Sequence, residues 1–354
     1  MTTTDGDATG GAQRRRDITV ARIARLAGVS APTVSKVING RSGVSTSTRQ
    51  RVEEVIRTHG YQRQGRAEPT PTIEIVFQAL DSLWALEIIR GVEQVVRPHG
   101  LTATITQMHG RLTPDKEWAR QVLVRRPLGV IGVSAQLTAA QHAQLASRAI
   151  PVVTLDPSGE PAHRGPSVGA MNWNGGLVAA RHLLELGHRR IAMINGPTEF
   201  VCCRARLDGY RAALDAAGVP VDDSLLRVAP LYVEGGLAQA RELLDRPDPP
   251  TAIFTGNDLQ ALGVYEAARE RGVRIPDDLS VVGFDDLAFV QWIGPPMTTV
   301  RQPLMQMGAT AADLVLGLSL GRSPEHERIE LPTTLVVRQS TAPPRPDPAQ
   351  PDST

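Results

Sequence analysis

Residues 18–40 read "ITVARIARLAGVSAPTVSKVING". Val20, Ile23, Ala24 and Ala27 recur at i, i+3, i+4 and i+7, the spacing of one buried helix face. Thr19 is placed to cap that helix, and Gly28 to end it in a left-handed conformation. Ser30 is placed to cap a second helix, which tolerates Pro32 in its first turn because the missing N–H has no intrahelical partner there. Val34, Val37 and Ile38 form that helix's buried stripe. A third helix begins near Ser45, with Val52, Val55 and Ile56 turned inward. Three short helices with a tight glycine turn between the first two make a helix-turn-helix module.

The outer face of the second helix carries Ala31, Pro32, Thr33, Ser35 and Lys36. Small residues near its N-terminus let the helix sink into a major groove about 12 Å wide. Short hydroxyls and backbone N–H groups meet phosphates there and set register without reading sequence. Lys36 is the long donor that reaches guanine edges, and Ala31 and Pro32 suit thymine methyls. Read from spacing alone, a solvated three-helix bundle whose serines are only caps stays open.

The formal charge of +1 conceals an asymmetry. Residues 1–66 carry +7, and the remainder carries −6. A basic end on an acidic body fits a chain whose one end meets a polyanion. Lys36 and Lys116 are the two lysines, and every other cation is arginine, which reads as codon bias. Cys202 and Cys203 are adjacent and poorly placed for a disulfide, so nothing suggests an oxidising compartment. No apolar run approaches the ~20 residues that cross a bilayer. The N-terminus lacks the apolar core of a secretory signal, so a cytoplasmic protein associated with the nucleoid is expected.

From Ile73 onward short apolar runs alternate with helical patterns. "IEIVFQAL", "GVIGVS", "PVVTLD", "RIAMING", "TAIFTG" and "SVVGFDD" read as strands, and "WALEIIRGVEQVV", "GGLVAARHLLELG" and "LQALGVYEAARERG" as helices. Such alternation predicts parallel sheets covered on both faces. Roughly 270 residues exceed one comfortable core, so two α/β lobes are expected. Ligands in such sheets sit beyond the carboxyl ends of strands. Asp81, Asn257, Asp258, Asp285 and Asp286 stand at those ends, and Arg206 opens the pattern "RLDGYRAAL". Asp258 and Asp286 are read as helix caps.

Several quoted stretches resemble one family. "TVARIARLAGVSAPTVSKVINGRSGVSTSTRQRVEEVIRTHGY", Thr19 to Tyr61, is similar without a gap to the DNA-binding headpiece of the lactose-repressor (LacI/GalR) family of bacterial transcription regulators. "LGHRRIAMINGP", "RARLDGYRAAL", "TAIFTGNDLQALGVYEAARERGVRIPDDLSVVGFDD" and "PPMTTVRQP" look like that family's periplasmic-binding-protein-like sensor domain, over Ile73 to about Ser340. The resemblance implies base reading by Ala31, Pro32 and Lys36. It implies phosphate contacts by Thr19, Ser30, Thr33, Ser35, Asn39, Ser45 and Thr48. In the sensor domain it implies that Arg206, Asn257 and Asp285 hydrogen-bond ligand hydroxyls, with Asp81 also in the cleft.

The linker departs from the family pattern. Family members continue with an Asn and an Ala-Arg-x-Leu segment, which forms a hinge helix whose leucine enters the minor groove. Here "QRQGRAEPTPT" follows Tyr61, shorter, without leucine, and ending in Pro69 and Pro71. Prolines restrict helix formation, and no apolar wedge is available to kink a duplex. Arg63 and Arg66 remain as cations for a narrow minor groove or, on the preferred reading, for phosphates.

Adjacent sugar hydroxyls suit bidentate Asp, Asn and Arg side chains, and sugar C–H faces stack on aromatic rings. Trp84, Trp173 and Trp292 stand near the expected cleft loops, so a carbohydrate effector is expected, with a nucleobase or nucleoside as the alternative. No nucleotide-binding, zinc-protease or nucleophile-elbow motif occurs. Asp285 and Asp286, as successive residues, cannot flank one bond as glycosidase carboxylates do. No cofactor or metal ligand set is expected, and Cys202 and Cys203 are expected to pack beside the cleft. A sugar-transport binding protein is the distant alternative for the body, but it would not carry the headpiece.

The expected organisation is therefore a basic arm (1–17), a helix-turn-helix domain (18–61), a linker (62–72), a sensor (73–340) and a disordered tail (341–354). Within the sensor, lobe 1 is expected over 73–171 and 301–331, and lobe 2 over 172–300 and 332–340. One headpiece covers a half-site, so a homodimer on a palindromic duplex is expected. The Pro-rich tail "TAPPRPDPAQPDST" offers no heptad helix for a tetramer. The expected function is a repressor of carbohydrate-utilisation genes.

Overall fold

The computed structural model describes residues 19–38, 43–58, 69–80, 82–108, 112–157 and 165–345. These fall into two compact units that divide at Glu68 and Pro69.

The first unit holds α1 (Val20–Ala27), α2 (Ala31–Ile38) and α3 (Thr46–Thr58). Thr19 caps α1, and Gly28 ends it at φ 64°, a conformation that glycine adopts without the strain of a Cβ. Ile23, Ala24, Ala27, Val34, Val37 and Val52 form the core, with Val20, Val55 and Ile56 packed against it.

In the second unit β1 (Thr70–Phe77), α4 (Leu83–Val96), β2 (Thr102–Gln107), α5 (Lys116–Arg125), β3 (Pro127–Val133), α6 (Ala139–Ala146), β4 (Val152–Leu155) and β5 (Ser167–Ala170) come first. The chain continues through α7 (Asn172–Glu185), β6 (Ile191–Asn195), α8 (Val201–Ala216), β7 (Leu226–Val228), α9 (Val233–Leu244), β8 (Ala252–Thr255) and α10 (Asp258–Arg271). It ends with β9 (Ser280–Asp285), β10 (Thr298–Arg301), α11 (Leu304–Ser319), β11 (Arg328–Leu331) and β12 (Thr334–Val336). One sheet has the order β11-β5-β4-β3-β1-β2 and the other β12-β10-β9-β8-β6-β7. The strands pair in parallel, apart from β12, which runs antiparallel to β10. β1, β6, β8 and β9 are near-continuously buried because helices cover both faces of each sheet.

The chain passes between the lobes three times, after β5, after β10 and after β11. The crossing after β10 sends α11 back to lobe 1, where it packs on α4. The contact is backbone to backbone: Gly91 lies against Met305 O and Gly308 against Ile88 O, so any side chain there would force the helices apart.

Two expected boundaries need correction. Thr70 to Thr72 belong to β1 and not to the linker; Pro71 is accommodated because it lies at the exposed start of the strand, where the register with β3 shifts between Thr70 and Ile73. The segment 341–345 is ordered and packs on lobe 2, because its backbone supplies partners to buried polar groups. His188 Nε2 and Ser280 Oγ meet Ala342 O at 2.9 and 3.0 Å, and His182 Nε2 meets Thr341 Oγ1 at 3.0 Å. The arm at 1–17, residues 62–68 of the linker and 346–354 lie outside the described residues. Among the described residues no helix is long and apolar enough to cross a membrane.

Candidate functional site

The headpiece places its short polar groups at helix starts. Thr19 Oγ1 accepts from Arg22 N at 3.4 Å, Ser30 Oγ from Thr33 N at 3.4 Å, and Ser45 Oγ from Thr48 N at 3.3 Å. Ser30 and Thr33 hydroxyls lie 2.8 Å apart, and Ser45 donates to Thr48 Oγ1 at 2.8 Å. Capping therefore accounts for part of what these hydroxyls do. Ala31, Pro32, Ser35 and Lys36 are exposed on α2, while Val34 and Val37 between them are buried. Asn39, Arg63 and Arg66 lie outside the described residues.

In the second unit a cavity of 470 Å³ opens between the lobes. Its walls come from the carboxyl ends of both sheets, as parallel α/β sheets require. Lobe 1 contributes Phe77, Gln78 and Ala79 after β1, Trp84 at the start of α4, Ser134 after β3 and Asp156 after β4. Lobe 2 contributes Phe200, Cys202 and Arg206 around the start of α8, Tyr232 before α9, Asn257 before α10 and Asp285 at the end of β9. Each sheet changes strand order at this point, between β1 and β3 in one and between β6 and β8 in the other.

The floor is polar and buried. Arg206 is 3% exposed and Asp285 4%. Arg206 Nε donates to Asn172 Oδ1 at 2.9 Å, Nη1 donates to Gly256 O, and Cζ lies 3.8 Å from the centroid of the Phe284 ring. Burial opposes its charge, but Cys202, Asp285, Cys203 and Asp156 around it raise its pKa further. Asp285 has φ 119°, in the left-handed half of backbone space, and its Oδ1 accepts from Gln302 Nε2 at 2.6 Å. Burial pushes the Asp285 carboxyl up to about 7, against the pull of Arg206 and the Gln302 hydrogen bond, with Asp156 adding to the rise. Asp156 is likewise raised by burial, opposed by Arg206 and by a hydrogen bond with Cys202.

Of the expected cleft residues, Trp84, Arg206, Asn257 and Asp285 come together in this cavity. Asn257 is largely committed to the fold: its Oδ1 caps α10 through Gln260 N at 2.9 Å, and its Nδ2 donates to Leu231 O at 3.0 Å. Trp173 is half-exposed and faces a separate recess of 290 Å³, which shares Asp156 and Cys202 with the main cavity. Trp292 is 82% exposed and lines neither space, because the short 3₁₀ turn Ala288–Gln291 carries it outward. Asp81 lies outside the described residues. Cys202 does pack beside the cleft.

The cap reading needs correction at both carboxylates. Asp258 is fully buried and joins Thr299 Oγ1 at 2.6 Å and Leu287 N at 2.8 Å; Asn257 takes the cap position. Asp286 pairs with Arg301 and Arg338 at 2.6 and 2.7 Å. Asp156, Phe200 and Tyr232 were missed. Asp156 ends "PVVTLD" at the carboxyl end of a strand, a signal equal to the one that marked Asp285.

Two family models match the chain. "Bacterial regulatory proteins, lacI family" covers residues 19–64, and "Periplasmic binding protein-like domain" covers residues 180–341. The HTH-type transcriptional regulator DegA of Bacillus subtilis (strain 168) is 33% identical over 333 residues, covering 92% of this chain and 98% of its own. The solved complex of the transcriptional regulator CelR with cellobiose superposes with a TM-score of 0.70 at 33% identity, over 91% of this chain and 99% of that one. The lac repressor dimer bound to operator and the anti-inducer ONPF superposes with a TM-score of 0.68 at 28% identity, over 92% and 100%. These relatives regulate transcription and are not enzymes. A three-helix headpiece whose second helix exposes one face, and two parallel α/β lobes around a cavity with a polar floor, thus find their counterpart along nearly the whole chain: the protein belongs to the lacI family of bacterial regulatory proteins and is a DNA-binding regulator of transcription.

Proposed function

We propose that this regulator is a homodimeric repressor of carbohydrate-utilisation genes, released from a palindromic operator when a sugar occupies the cleft. The observation that carries the sugar is the composition of one cavity: Asp156, Arg206 and Asp285 at its floor, with Trp84, Phe200 and Tyr232 on its walls. Carboxylates accept from vicinal hydroxyls, a guanidinium donates to them, and aromatic faces cover the C–H side of the ring. A volume of 470 Å³ leaves room for more than one sugar ring. The CelR–cellobiose complex supports a disaccharide as the first probe.

At the other end, Lys36, Ala31 and Pro32 read base edges. Thr19, Ser30, Thr33, Ser35, Asn39, Ser45 and Thr48 hold phosphates, and Arg63 and Arg66 add charge next to them. One headpiece covers a half-site, which is why the functional unit is two-fold.

The test is calorimetric titration of the intact protein with cellobiose, glucose, galactose, ribose, adenine and cytidine, with operator affinity measured in parallel. Binding of a sugar that lowers operator affinity supports this reading. Tight binding of adenine or cytidine with silence across the sugars overturns it.

A further inference from the structure

Asp285 faces an unusual electrostatic setting. Asp156 lies across the cavity floor, Asp258 of α10 is a buried carboxyl that burial and Asp285 hold toward its neutral form, and Asp286 beside it is neutralised by Arg301 and Arg338. The facing cation is Arg206 of α8, whose donated hydrogen bonds go to Asn172 and Gly256. Among the described residues the hydrogen bond from Gln302 is the direct donation to the Asp285 carboxylate.

Gln302 is 4% exposed and does not line the cavity. It lies on the crossing between lobes, after β10 of lobe 2 and before α11, which packs on lobe 1. Two bonds tie it to the same residue: Nε2 to Asp285 Oδ1 at 2.6 Å, and backbone N to Asp285 O at 3.3 Å. A non-glycine residue persists at φ 119° only where its surroundings over-determine it, and these bonds do so. The other end of the amide makes the point sharper. Gln302 Oε1 is buried without a partner among the described residues, a cost that an apolar side chain of equal length would avoid. What the amide contributes here is its donor.

We propose that Gln302 is the positioning residue of the effector site: it aims the Asp285 carboxylate into the cavity from the lobe crossing, so that effector affinity depends on a residue the effector never touches. This rests on the cleft being the effector site. It also gives the lobes a mechanical link, because α11 begins two residues later and packs on α4, whose first turn carries Trp84 of the opposite wall.

The test compares wild type, Gln302→Met, D285N and the double variant. Gln302→Met keeps length and apolar volume but removes the donor. Cellobiose affinity should fall at least ten-fold, its rise with pH should move to higher pH, and operator affinity without sugar should stay within two-fold. In denaturant unfolding at pH 8, Gln302→Met should lower the midpoint clearly more in the wild-type background than in the D285N background, where a neutral amide oxygen accepts the weaker bond. Equal penalties in both backgrounds, no penalty in either, or a Gln302→Met protein that no longer binds operator would overturn the proposal. If wild type ignores cellobiose, the sugar reading falls, and the unfolding cycle alone still decides the role of Gln302.

Discussion

Asp285 sits where stability and recognition pull apart. A buried carboxylate is costly to ionise, and here burial lifts its pKa from 3.8 to about 7. The folded value lies above the unfolded one, so the fold favours the protonated form. That contribution is complete below about pH 4 and is lost as pH rises through about 7. Asp285→Asn keeps the shape and removes the charge. Its stability at pH 8 should therefore exceed that of wild type by an amount on the order of 1 kcal/mol or more, and the gain should shrink as pH falls and vanish below about pH 4. Sugar response should be lost at every pH. A variant weaker than wild type at pH 8 and equal to it at about pH 4 would reverse the sign and contradict the electrostatics. Lys36→Ala should cost about 1–3 kcal/mol on specific duplex and little on scrambled duplex, read by fluorescence anisotropy. Asn257 and Asp285 were legible as cavity-lining residues because polar residues at strand ends are conspicuous after apolar runs, and Arg206 through the family resemblance of "RARLDGYRAAL". Asp156 carried the same mark and passed unnoticed. Gln302 was hidden for a better reason: its importance lies in a partner seventeen positions earlier in the chain, which no local pattern displays.

Elements were legible wherever one periodicity held for a full strand or helix. The headpiece follows from Val20, Ile23, Ala24 and Ala27, since so short a helix can bury only one stripe. What surrounded the elements was harder to read. Trp292 stands seven residues after Asp285, yet a single 3₁₀ turn points it away from the cavity. Residues 341–345 look like the start of a Pro-rich tail, but the buried His188 and Ser280 recruit the carbonyl of Ala342. Two predictions belong at this scale. Ser45→Ala removes the cap of α3 and should cost about 1 kcal/mol, read as faster amide exchange in its first turn. Gly308→Val drives a side chain into Ile88 O and should destabilise the sensor by about 1–3 kcal/mol in thermal unfolding, with the headpiece helices intact. A Gly308→Val sensor that melts with wild type would mean that the α4–α11 contact is looser than its geometry indicates.

At the scale of the molecule, charge and architecture divide the labour. The first 66 residues carry +7 and the rest carries −6, so the polyanion partner belongs to the basic end. Two sheets of the same strand order enclose one cavity and three crossings join the lobes; on the proposed mechanism an effector in that cavity changes the angle between them. A ligand shifts such an equilibrium only by its difference in affinity for the two arrangements, which is why residues from both lobes must line the site. The decisive measurement is anisotropy of the full-length protein on the duplex upstream of its own gene and on a scrambled duplex, at near-physiological salt, with and without cellobiose and related sugars. Selective binding to the first duplex, weakened by a sugar in wild type and unaffected by it in Asp285→Asn, is the expected result. Equal affinity for both duplexes, unchanged by any sugar, would contradict a groove-reading headpiece governed by a distant cleft.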